Sequence, residues 1–559
     1  MSAPIRTIDE IAAEPFTSVA DAIHALAGIA DRGIWADGRF TPWSQATEEI
    51  AVRIAALREL LTSSSSHPHP HPPHPHPHIG LLMAGTPEYL HLLGAAACSE
   101  LVVAGLNPTR RGEALLRDAT LADCALILTD ADNEAFLDGL DPGVPVVNVD
   151  SPEWTALLAR HAGATLPAPG TVPTAADDLV ALVFTSGTSG DPKAVRITQS
   201  KISVPGRMLA ERFEMGPADC VYSAMPLFHS NAVMVAWPIA LFAQCSLAQR
   251  RRFTASGWLD DVRRYGCTFA NYVGAPLSYI LATPERPDDA DNPMRVVYGN
   301  EAPADVRSEF TRRFGVRVVD GFGSSEGGLS ISRTPDTPDA ALGPLPSGVR
   351  IVDPATGAEC PRARFDASGV LANPDEAIGE MVADGPGLFA GYWNDPAADA
   401  ERMRDGRFHS GDLAYVDDDG YVYFAGRSGG WMRVDGENLA AAPIERVLRR
   451  HPDVAEVGVY AVPAALVRGP AAIGDAVAAG MVLRDGADAD SLADGFPGFL
   501  AAQPDLGPKQ RPSLLRVTSA LPRTASFKFR ARDLTALGAD PAGDRVWVRP
   551  DGAATFTPT

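Results

Sequence analysis

Apolar positions recur at two different spacings along this chain, and these spacings predict alternating helices and strands. Residues 8–31 and 46–61 carry apolar side chains at the three- and four-residue intervals of amphipathic helices, for example at Ile50, Ile54 and Leu57. Strands alternating with helices indicate βαβ units and a parallel sheet. The segments that follow this pattern are strands at 79–84, 101–104 and 125–129, and a helix at 87–97.

A low-complexity segment interrupts the pattern at 63-SSSSHPHPHPPHPHPH-78, which holds six of the twelve histidines. Proline at nearly every second position opposes both helix formation and sheet pairing, so we predict an exposed, polyproline-like or disordered loop at 63–78. Histidine-rich runs also chelate metal ions without any preformed geometry, and that interpretation stays open as an alternative.

The second half of the chain contains further strand and hairpin patterns. A β-branched run at 316–319 predicts a strand that ends at Asp320 and is followed by a glycine-rich turn. Alternation over 416–425, around Asp418-Asp419-Gly420, indicates a hairpin. Near the C-terminus we predict a helix with Ile444, Val447 and Leu448 on one face, strands at 454–462 and 477–483, and a partly disordered tail at 541–559.

Composition adds constraints on size, charge and redox state. A chain of 559 residues with 45% hydrophobic content is expected to form two or more domains. Its formal net charge of −22 disfavours an extended nucleic-acid or anionic-membrane surface. The six scattered cysteines lack C-x-x-C spacing, so we expect reduced thiols in the core.

The N-terminal sequence MSAPIRTIDEIAAEPF has no apolar stretch of signal-peptide type, and the chain has no run of about 18 apolar residues. These features predict a cytoplasmic protein without a transmembrane segment. Peripheral membrane contact through an apolar patch stays open.

The strongest chemical signal is the loop that follows an apolar strand at 182–184. Hydroxyls and glycines fill 185–190, and Lys193 follows. Backbone amides, hydroxyls and a lysine charge together suit a phosphate group. The Walker A pattern does not fit, because the lysine stands three residues after the last glycine and is followed by Ala194. An ordinary Ser/Gly connector is the alternative.

This loop resembles the [ST]-S-G-[ST]-[ST]-G-x-P-K-G motif of the adenylate-forming superfamily, which comprises acyl-CoA synthetases, luciferases and nonribosomal-peptide adenylation domains. The chain departs from that motif only at Ala194. Further motifs of the superfamily follow in order over residues 80–534. They are 296-VVYGNEAP-303, 320-DGFGSSEGG-328, Gly411-Asp412-Leu413 and 521-LPRTASFKFRARDL-534. The segments 105-GLNPTRRGEAL-115 and 434-VDGENLAAAPIE-445 resemble actinobacterial long-chain and fatty-acid-transport-protein-like acyl-CoA synthetases most closely.

The resemblance implies an α/β fold with a large N-terminal domain of parallel βαβ sheets and a small, mobile α+β C-terminal domain. The predicted boundary assigns residues 1–428 to the acyl- and ATP-binding domain and 429–559 to the mobile domain. Gly429 is the implied hinge, Gly436 marks the implied thiolation loop, and Lys528 is the implied catalytic lysine.

The resemblance also implies roles for individual residues. Glu326 would bind Mg²⁺, Phe322 would stack on adenine, Ser325 would contact the α-phosphate and Asp412 would bind the ribose hydroxyls. His229 is the candidate gate of the acyl tunnel, although a lone histidine in an apolar stretch is more often structural. The implied nucleotide-binding set is Thr185, Ser186, Gly187, Thr188, Ser189, Gly190, Lys193, Gly299, Asn300, Glu301, Asp320, Phe322, Ser325, Asp412 and Arg427.

The implied activity is ATP-dependent activation of a medium- to very-long-chain fatty acid to acyl-AMP, followed by transfer to CoA. ATP, Mg²⁺ and CoA, the last as a substrate, are the implied cofactors, and the fatty acid is the partner substrate. The open alternatives are a ligase that loads an acyl carrier protein, a ligase for a sterol side chain or another hydrophobic acid, and a non-catalytic lipid-binding or uptake protein. Arg250-Arg251-Arg252 is either a solvated cluster or a contact for an anionic cofactor.

Overall fold

The computed structural model describes residues 16–64, 76–185, 192–366, 371–427, 432–434, 437–439, 441–469, 472, 474–503, 506–524, 529–550, 553 and 555–559. The chain divides into two compact units. The first unit comprises Met1–Ser330 and Pro386–Glu401, and the second comprises Ile331–Gly385 and Arg402–Thr559. The predicted boundary between residues 428 and 429 stays a prediction, because residues 428–431 lie outside the described part.

The strands of the first unit are β1 (Gly33–Ala36), β2 (Arg39–Pro42), β3 (His78–Leu82), β4 (Val102–Gly105), β5 (Cys124–Thr129), β6 (Val146–Asn148), β7 (Leu179–Thr185), β8 (Lys193–Thr198), β9 (Cys220–Ser223), β10 (Ser246–Gln249), β11 (Phe269–Val273), β12 (Val296–Asn300) and β13 (Arg317–Gly323); β14 (Ser330–Ser332) lies where the units meet in sequence. Its helices are α1 (Val19–Leu26), α2 (Trp43–Ser64), α3 (Pro87–Ala97), α4 (Glu113–Leu121), α5 (Pro152–Arg160), α6 (Gln199–Arg212), α7 (Trp237–Phe242), α8 (Trp258–Tyr265), α9 (Pro276–Leu281) and α10 (Ala304–Phe314), with a 3₁₀ turn at Glu134–Leu137 and a π-helical turn at Ala232–Ala236.

One sheet of the first unit has the order β6-β5-β3-β4-β7-β8. Its neighbouring strands are parallel except for β7 and β8, which form an antiparallel pair around residues 186–191. Because β3 and β4 are connected through α3, the arrangement is the βαβ unit that the sequence pattern predicts. The predicted parallel sheet is confirmed.

A second sheet of the same unit contains, in order, β13-β12-β11-β9-β10-β1-β2. All its neighbouring pairs are parallel apart from the hairpin of β1 and β2. The carboxyl ends of β11, β12 and β13 therefore lie at one edge of this sheet. Polar side chains cluster at such an edge in many parallel sheets, because helices cover both faces and leave the strand ends accessible.

In the part of the chain that the structure describes, the second unit contains three sheets and its own core. Its strands are β15 (Gly343–Pro344), β16 (Val349–Val352), β17 (Gly379–Asp384), β18 (Met403–Arg404), β19 (Arg407–Val416), β20 (Tyr421–Arg427), β21 (Met432–Val434), β22 (Glu437–Leu439), β23 (Val454–Pro463), β24 (Asp475–Leu483), β25 (Leu514–Val517), β26 (Arg545–Val548) and β27 (Thr557–Pro558). The remaining helices of the chain are α11 (Pro374–Ala377), α12 (Pro396–Arg402), α13 (Ala441–Leu448), α14 (Ala465–Arg468), α15 (Ala489–Ala501) and α16 (Ala531–Leu537), with a 3₁₀ turn at Pro508–Gln510.

An antiparallel sheet of order β15-β20-β19-β17-β16 carries the predicted hairpin at β19 and β20, with β18 paired to β19. Strands β21 and β22 form a separate pair, and the last sheet has the order β23-β24-β25-β26-β27. Ile444, Val447 and Leu448 of α13 are buried in the core of this last sheet, as their helical spacing predicts.

Four local predictions require correction. The helix predicted at 8–31 is described only at Val19–Leu26, and Ser18 and Asp21 cap its start. Strands β1 and β2 follow it and form a hairpin, because Asp37 and Gly38, both with positive φ, reverse the chain direction. The loop predicted at 63–78 is wrong at both ends, because α2 continues to Ser64 and His78 is a buried residue of β3 whose Nδ1 lies 2.6 Å from the Ala122 carbonyl oxygen.

The other two corrections concern strand ends. Strand β13 continues to Gly323, beyond its predicted end at Asp320, so Phe322 belongs to the strand and not to the following turn. The tail predicted to be partly disordered contributes β26 to the last sheet, where Val546 and Trp547 are buried. In both cases hydrogen bonding to a neighbouring strand extends an element whose own sequence pattern is weak.

The described residues also bear on the predicted lack of a transmembrane segment and on the predicted state of the cysteines. Among them, no helix is both long and apolar enough to cross a membrane. All six cysteines are free thiols, of which five are buried and Cys360 is half-buried, as predicted.

Candidate active site

Strands β7 and β8 flank the predicted phosphate loop. Thr185 ends β7 and is the register partner of Lys193, which begins β8. The Lys193 ammonium lies 3.4 Å from Glu401 Oε2 and 5.3 Å from the centre of the Tyr392 ring. Loop residues Ser186, Gly187, Thr188, Ser189 and Gly190 lie outside the described part of the chain.

The carboxyl ends of β12 and β13 bring a second group of predicted residues together. Gly299 of β12 pairs with Asp320 of β13, and the Asn300 side-chain amide donates a hydrogen bond to the Gly321 carbonyl oxygen at 2.6 Å. A Cβ atom at Gly299 would lie 2.0 Å from the Tyr272 carbonyl oxygen, so this position accommodates only glycine. Glu301 follows with a positive φ of 68° and is exposed.

The Asp320 carboxylate is held by protein groups. It accepts hydrogen bonds from the Tyr272 hydroxyl and from Arg307 Nη1, the latter at 3.2 Å. Burial, together with the Asp320 charge, raises the pKa of the Tyr272 hydroxyl well above its usual value. Asp320 therefore ties β13 to β11 and α10, and Phe322 lies two residues further along the same strand.

The turn after β13 carries Ser325 and Glu326 and contacts two other segments. Ser325 Oγ lies 2.6 Å from Ser230 Oγ, and His229 is the residue that precedes Ser230 in the sequence. The half-buried His229 ring lies 4.5 Å from the Phe228 ring, between centroids. The Tyr392 hydroxyl donates a hydrogen bond to Glu326 Oε1 at 3.0 Å.

A lysine that sequence reasoning missed is buried near the same turn. Lys201, in α6, has no exposed surface, and its ammonium donates a hydrogen bond to the Arg196 carbonyl oxygen at 3.3 Å. A Cβ atom at Gly327, where φ is +73°, would lie 3.2 Å from Lys201 Cε. Burial lowers the pKa of Lys201 to about 7, and the negative charge of Glu326 opposes this shift.

Tyr392 was also missed. It lies in the segment 379–395, where the sequence shows only aromatics beside glycines, a pattern equally typical of a turn in the core. Lys201 stands among buried residues of a helix, where an isolated lysine has no recognisable motif. For Tyr392 the signal is the hydrogen bond to Glu326, and for Lys201 it is burial beside the turn that carries Glu326 and Gly327, both of which appear only in the folded chain.

The arginine cluster after β10 is engaged in ion pairs. Arg250 Nε lies 3.0 Å from Asp261 Oδ2, and Arg251 Nη2 lies 3.0 Å from Asp130 Oδ2. Arg252 is 3.5 Å from Asp132 and is mostly exposed. These contacts favour the solvated, ion-paired interpretation over a contact for an anionic cofactor.

In the second unit, the turn that contains Asp412 is held by a buried carboxylate. Glu380 Oε1 accepts a hydrogen bond from the Gly411 amide at 2.9 Å, and Glu380 Oε2 lies 2.9 Å from His409 Nδ1. Ser410 Oγ accepts a hydrogen bond from the Asp412 amide at 3.0 Å. Asp412 is buried and is the register partner of Arg427.

The side chain of Arg427 lies outside the described part, as do the whole residues Gly429, Gly436 and Lys528. Their implied roles therefore stay predictions.

The donor atoms at the first unit's strand edge suit a magnesium ion. Glu326 supplies a carboxylate and Ser325 a hydroxyl, both hard oxygen ligands. Within the described ranges, no group of three or more His, Cys, Asp or Glu residues could hold a metal ion alone. A single carboxylate is what Mg²⁺ needs when phosphate oxygens and water complete its coordination.

Two family models match this chain, one in its first part and one near its C-terminus. Residues 74–393 match the AMP-binding enzyme family, and residues 443–528 match the AMP-binding enzyme C-terminal domain. The chain is 51% identical over 523 residues to medium/long-chain-fatty-acid–CoA ligase FadD17 of Mycobacterium marinum, covering 93% of this chain and 96% of that protein. It is 45% identical over 462 residues to steroid-22-oyl-CoA synthetase of Rhodococcus jostii, covering 82% of this chain and 81% of that protein.

A solved structure shows the same fold. The crystal structure of ATP-bound MatB from Rhodopseudomonas palustris superposes with a TM-score of 0.77 at 24% identity, covering 93% of this chain and 99% of that one. Together with the motif order and the strand-edge geometry, these matches show that the chain belongs to the AMP-binding enzyme family.

Proposed function

We propose that this protein is a medium- to very-long-chain fatty acid–CoA ligase that uses ATP. The acid's carboxylate attacks the α-phosphate of ATP, which releases pyrophosphate and forms acyl-AMP. The thiol of CoA then attacks the acyl carbon, forms the thioester and releases AMP. The observation that carries this proposal is the 51% identity to a medium/long-chain-fatty-acid–CoA ligase over 96% of that protein's length.

The chemistry explains why activation is needed. A carboxylate is a poor electrophile because oxide would have to leave, whereas AMP is a good leaving group. The first step brings two anions together, so positive charge must offset their repulsion. We assign this role to Lys528, while Lys193 and residues 185–190 would hold the β- and γ-phosphates.

The nucleoside would lie along the edge formed by β12 and β13. Phe322 would supply an aromatic face, and the backbone of Gly299, Asn300 and Glu301 would lie along the nucleoside. The glycine at 299 lets Tyr272 of β11 lie against this strand, because a Cβ atom there would be 2.0 Å from the Tyr272 carbonyl oxygen. Ser325 would contact the α-phosphate, and Asp412, with Arg427, would bind the ribose. Asp320 would act indirectly, by holding the strand edge through Tyr272 and Arg307.

Glu326 is the residue that would hold Mg²⁺, which in this family of reactions offsets the negative charge of the phosphates. Tyr392 fixes one oxygen of that carboxylate. His229, beside Ser230 and the Ser325 turn, is the proposed gate of the acyl tunnel.

The second step requires a different set of groups beside the acyl-AMP. We propose that residues 429–559 form a mobile domain that rotates at Gly429, removes Lys528 and presents the loop at Gly436. Two consecutive glycines at 429 and 430 permit large backbone rotations.

The free thiols, including Cys220 and Cys267 with sulfurs 3.8 Å apart, support placement in the reducing cytoplasm.

The testing experiment measures ATP- and CoA-dependent thioester formation with free acids of increasing chain length, while AMP and pyrophosphate are quantified in parallel. One thioester and one AMP per turnover with a fatty acid support the proposal. Pyrophosphate release with an acyl-AMP that free CoA cannot discharge would favour transfer to a carrier protein. Absence of turnover with every acid would favour a lipid-binding protein.

The second candidate substrate is a steroid side-chain acid, favoured by the 45% identity to steroid-22-oyl-CoA synthetase. The same assay includes one such acid. A kcat/KM for the steroid acid above that of every fatty acid would assign the protein to this substrate.

A further inference from the structure

A fully buried lysine lies beneath the turn that carries Glu326. Lys201 is 0% exposed, and its last side-chain carbon packs against the position of Gly327. The positive φ of Gly327 turns the chain directly over this lysine, and a side chain there would crowd Lys201 Cε at 3.2 Å. Gly327 directly follows Glu326, and the charges of Lys201 and Glu326 attract each other.

Core packing alone does not account for a lysine at this position. Its neighbours Ile202, Val204 and Leu209 in α6 are buried apolar residues, and an apolar side chain of similar length would fill the same volume. Burying an ammonium group is costly unless an opposite charge and hydrogen-bond acceptors compensate. The Arg196 carbonyl oxygen supplies an acceptor, and Glu326 supplies the charge.

We propose that Lys201 is a positioning residue for adenylate formation, which holds the Glu326 carboxylate from the buried side of the turn while the Tyr392 hydroxyl holds Oε1. This inference rests on the proposed function and on the assignment of Glu326 as the magnesium ligand. Lys201 itself does not touch substrate. It acts through Glu326, in the way that outer partners orient metal-binding carboxylates in other sites.

Two interactions from different segments act on the carboxylate. Tyr392 comes from residues 386–401 and donates to one oxygen, whereas the charge of Lys201 attracts the carboxylate toward α6. A carboxylate held in this way needs no reorganisation when it binds an ion, so the ordering cost is met during folding. Loss of the Lys201 charge would remove one of these two interactions, so the Glu326 carboxylate would be held less firmly.

The test uses the full-length protein and four variants. Lys201→Met removes the charge and keeps the side-chain length. Lys201→Gln removes the charge and keeps a hydrogen-bond donor for the Arg196 carbonyl, whereas Lys201→Arg keeps the charge. Lys509→Met, in the 3₁₀ turn of the second unit, is the control for loss of one lysine charge. Thermal unfolding of each variant establishes that it is folded.

The first measurement is the affinity of Mn²⁺, a spectroscopic probe used in place of Mg²⁺, for the complex of each variant with a non-hydrolysable ATP analogue. Mn²⁺ binding is detected by electron paramagnetic resonance. The second measurement is the rate of acid-dependent ATP–pyrophosphate exchange. We expect Lys201→Met and Lys201→Gln to weaken Mn²⁺ binding about tenfold or more. We expect kcat of exchange to fall while KM for the acid is unchanged, and Lys201→Arg and Lys509→Met to bind Mn²⁺ like the wild type.

Wild-type Mn²⁺ affinity in folded Lys201→Gln would overturn the inference, even if Lys201→Met proved unstable. A lower unfolding temperature with unchanged Mn²⁺ binding would likewise show that Lys201 serves stability alone. Failure of the proposed function would appear differently, as absence of exchange with every acid in the wild type. The Mn²⁺ measurement would still decide the role of Lys201 in that event.

Discussion

The Tyr392 hydroxyl donates a hydrogen bond to Glu326 Oε1 at 3.0 Å, although the two residues are 66 positions apart in the chain. Glu326 lies in the turn after β13, and Tyr392 lies beside β8, where it forms an isolated bridge with Val195. The contact therefore joins the edges of the two sheets of the first unit at the residue that we propose binds Mg²⁺.

We predict that Tyr392→Phe lowers kcat of adenylate formation about tenfold, because one hydrogen bond to a charged group is lost. The measurement is acid-dependent ATP–pyrophosphate exchange at saturating Mg²⁺. Tyr423→Phe is the matched control, since it removes a hydroxyl that donates to Asp417 at 2.9 Å in the hairpin of the second unit. Equal effects of the two substitutions would argue against a special role for Tyr392.

Glu380→Gln is expected to raise KM for ATP about tenfold, because Glu380 holds the Gly411 amide and His409 and so orients Asp412. The exchange assay with varied ATP concentration measures this. Asp384→Asn is the control at the exposed end of the same strand, where the carboxylate pairs with Arg350 at 2.6 Å. An unchanged KM for ATP in folded Glu380→Gln would separate this turn from nucleotide binding.

Gly299→Ala should destabilise the first unit by about 3 kcal/mol or more, since its Cβ atom would lie 2.0 Å from the Tyr272 carbonyl oxygen. In Gly323→Ala, at the end of the neighbouring strand, the added Cβ atom would lie 4.0 Å from Ser330 Cβ, so this substitution should be tolerated. Chemical unfolding midpoints compare the two variants. A tolerated alanine at 299 would show that the strand edge can widen.

Burial beside Arg53 lowers the pKa of His91 well below its usual value, and neither ring nitrogen has a hydrogen-bond partner. The unfolded chain takes up a proton below pH ~6.5, whereas the folded chain does not, so this residue's contribution to stability is present above that pH and is lost as the pH falls. We expect the unfolding temperature to drop less between pH 7.5 and 5.5 in His91→Leu than in the wild type. An equal drop would show that other groups control acid sensitivity.

Lys528→Ala is expected to abolish acyl-AMP formation while it largely preserves thioester formation from supplied acyl-AMP and CoA. The physical reason is that the lysine charge is needed only where the carboxylate meets the α-phosphate. Rates of the two half-reactions are measured separately. Equal losses in both would contradict the proposed rotation at Gly429.

Much of the fold follows from local patterns. The helix at 87–97 and the strands around it depend on apolar spacing and on Pro87 at the helix start, which act within a few residues. The end of β13 and the strand in the C-terminal tail could not be predicted in this way, because pairing with a neighbouring strand extends them.

The candidate site likewise combines residues that the local sequence identifies with residues that only folding brings together. The sequence alone determined the order of motifs and the chemical types at Lys193, Ser325, Glu326 and Asp412, since loop composition and spacing are properties of contiguous residues. Only the tertiary structure decided that Lys201 and Tyr392 belong to this site. Each is ordinary in its own segment, and each acquires a role because chain folding brings a distant charge or hydroxyl to the Glu326 carboxylate.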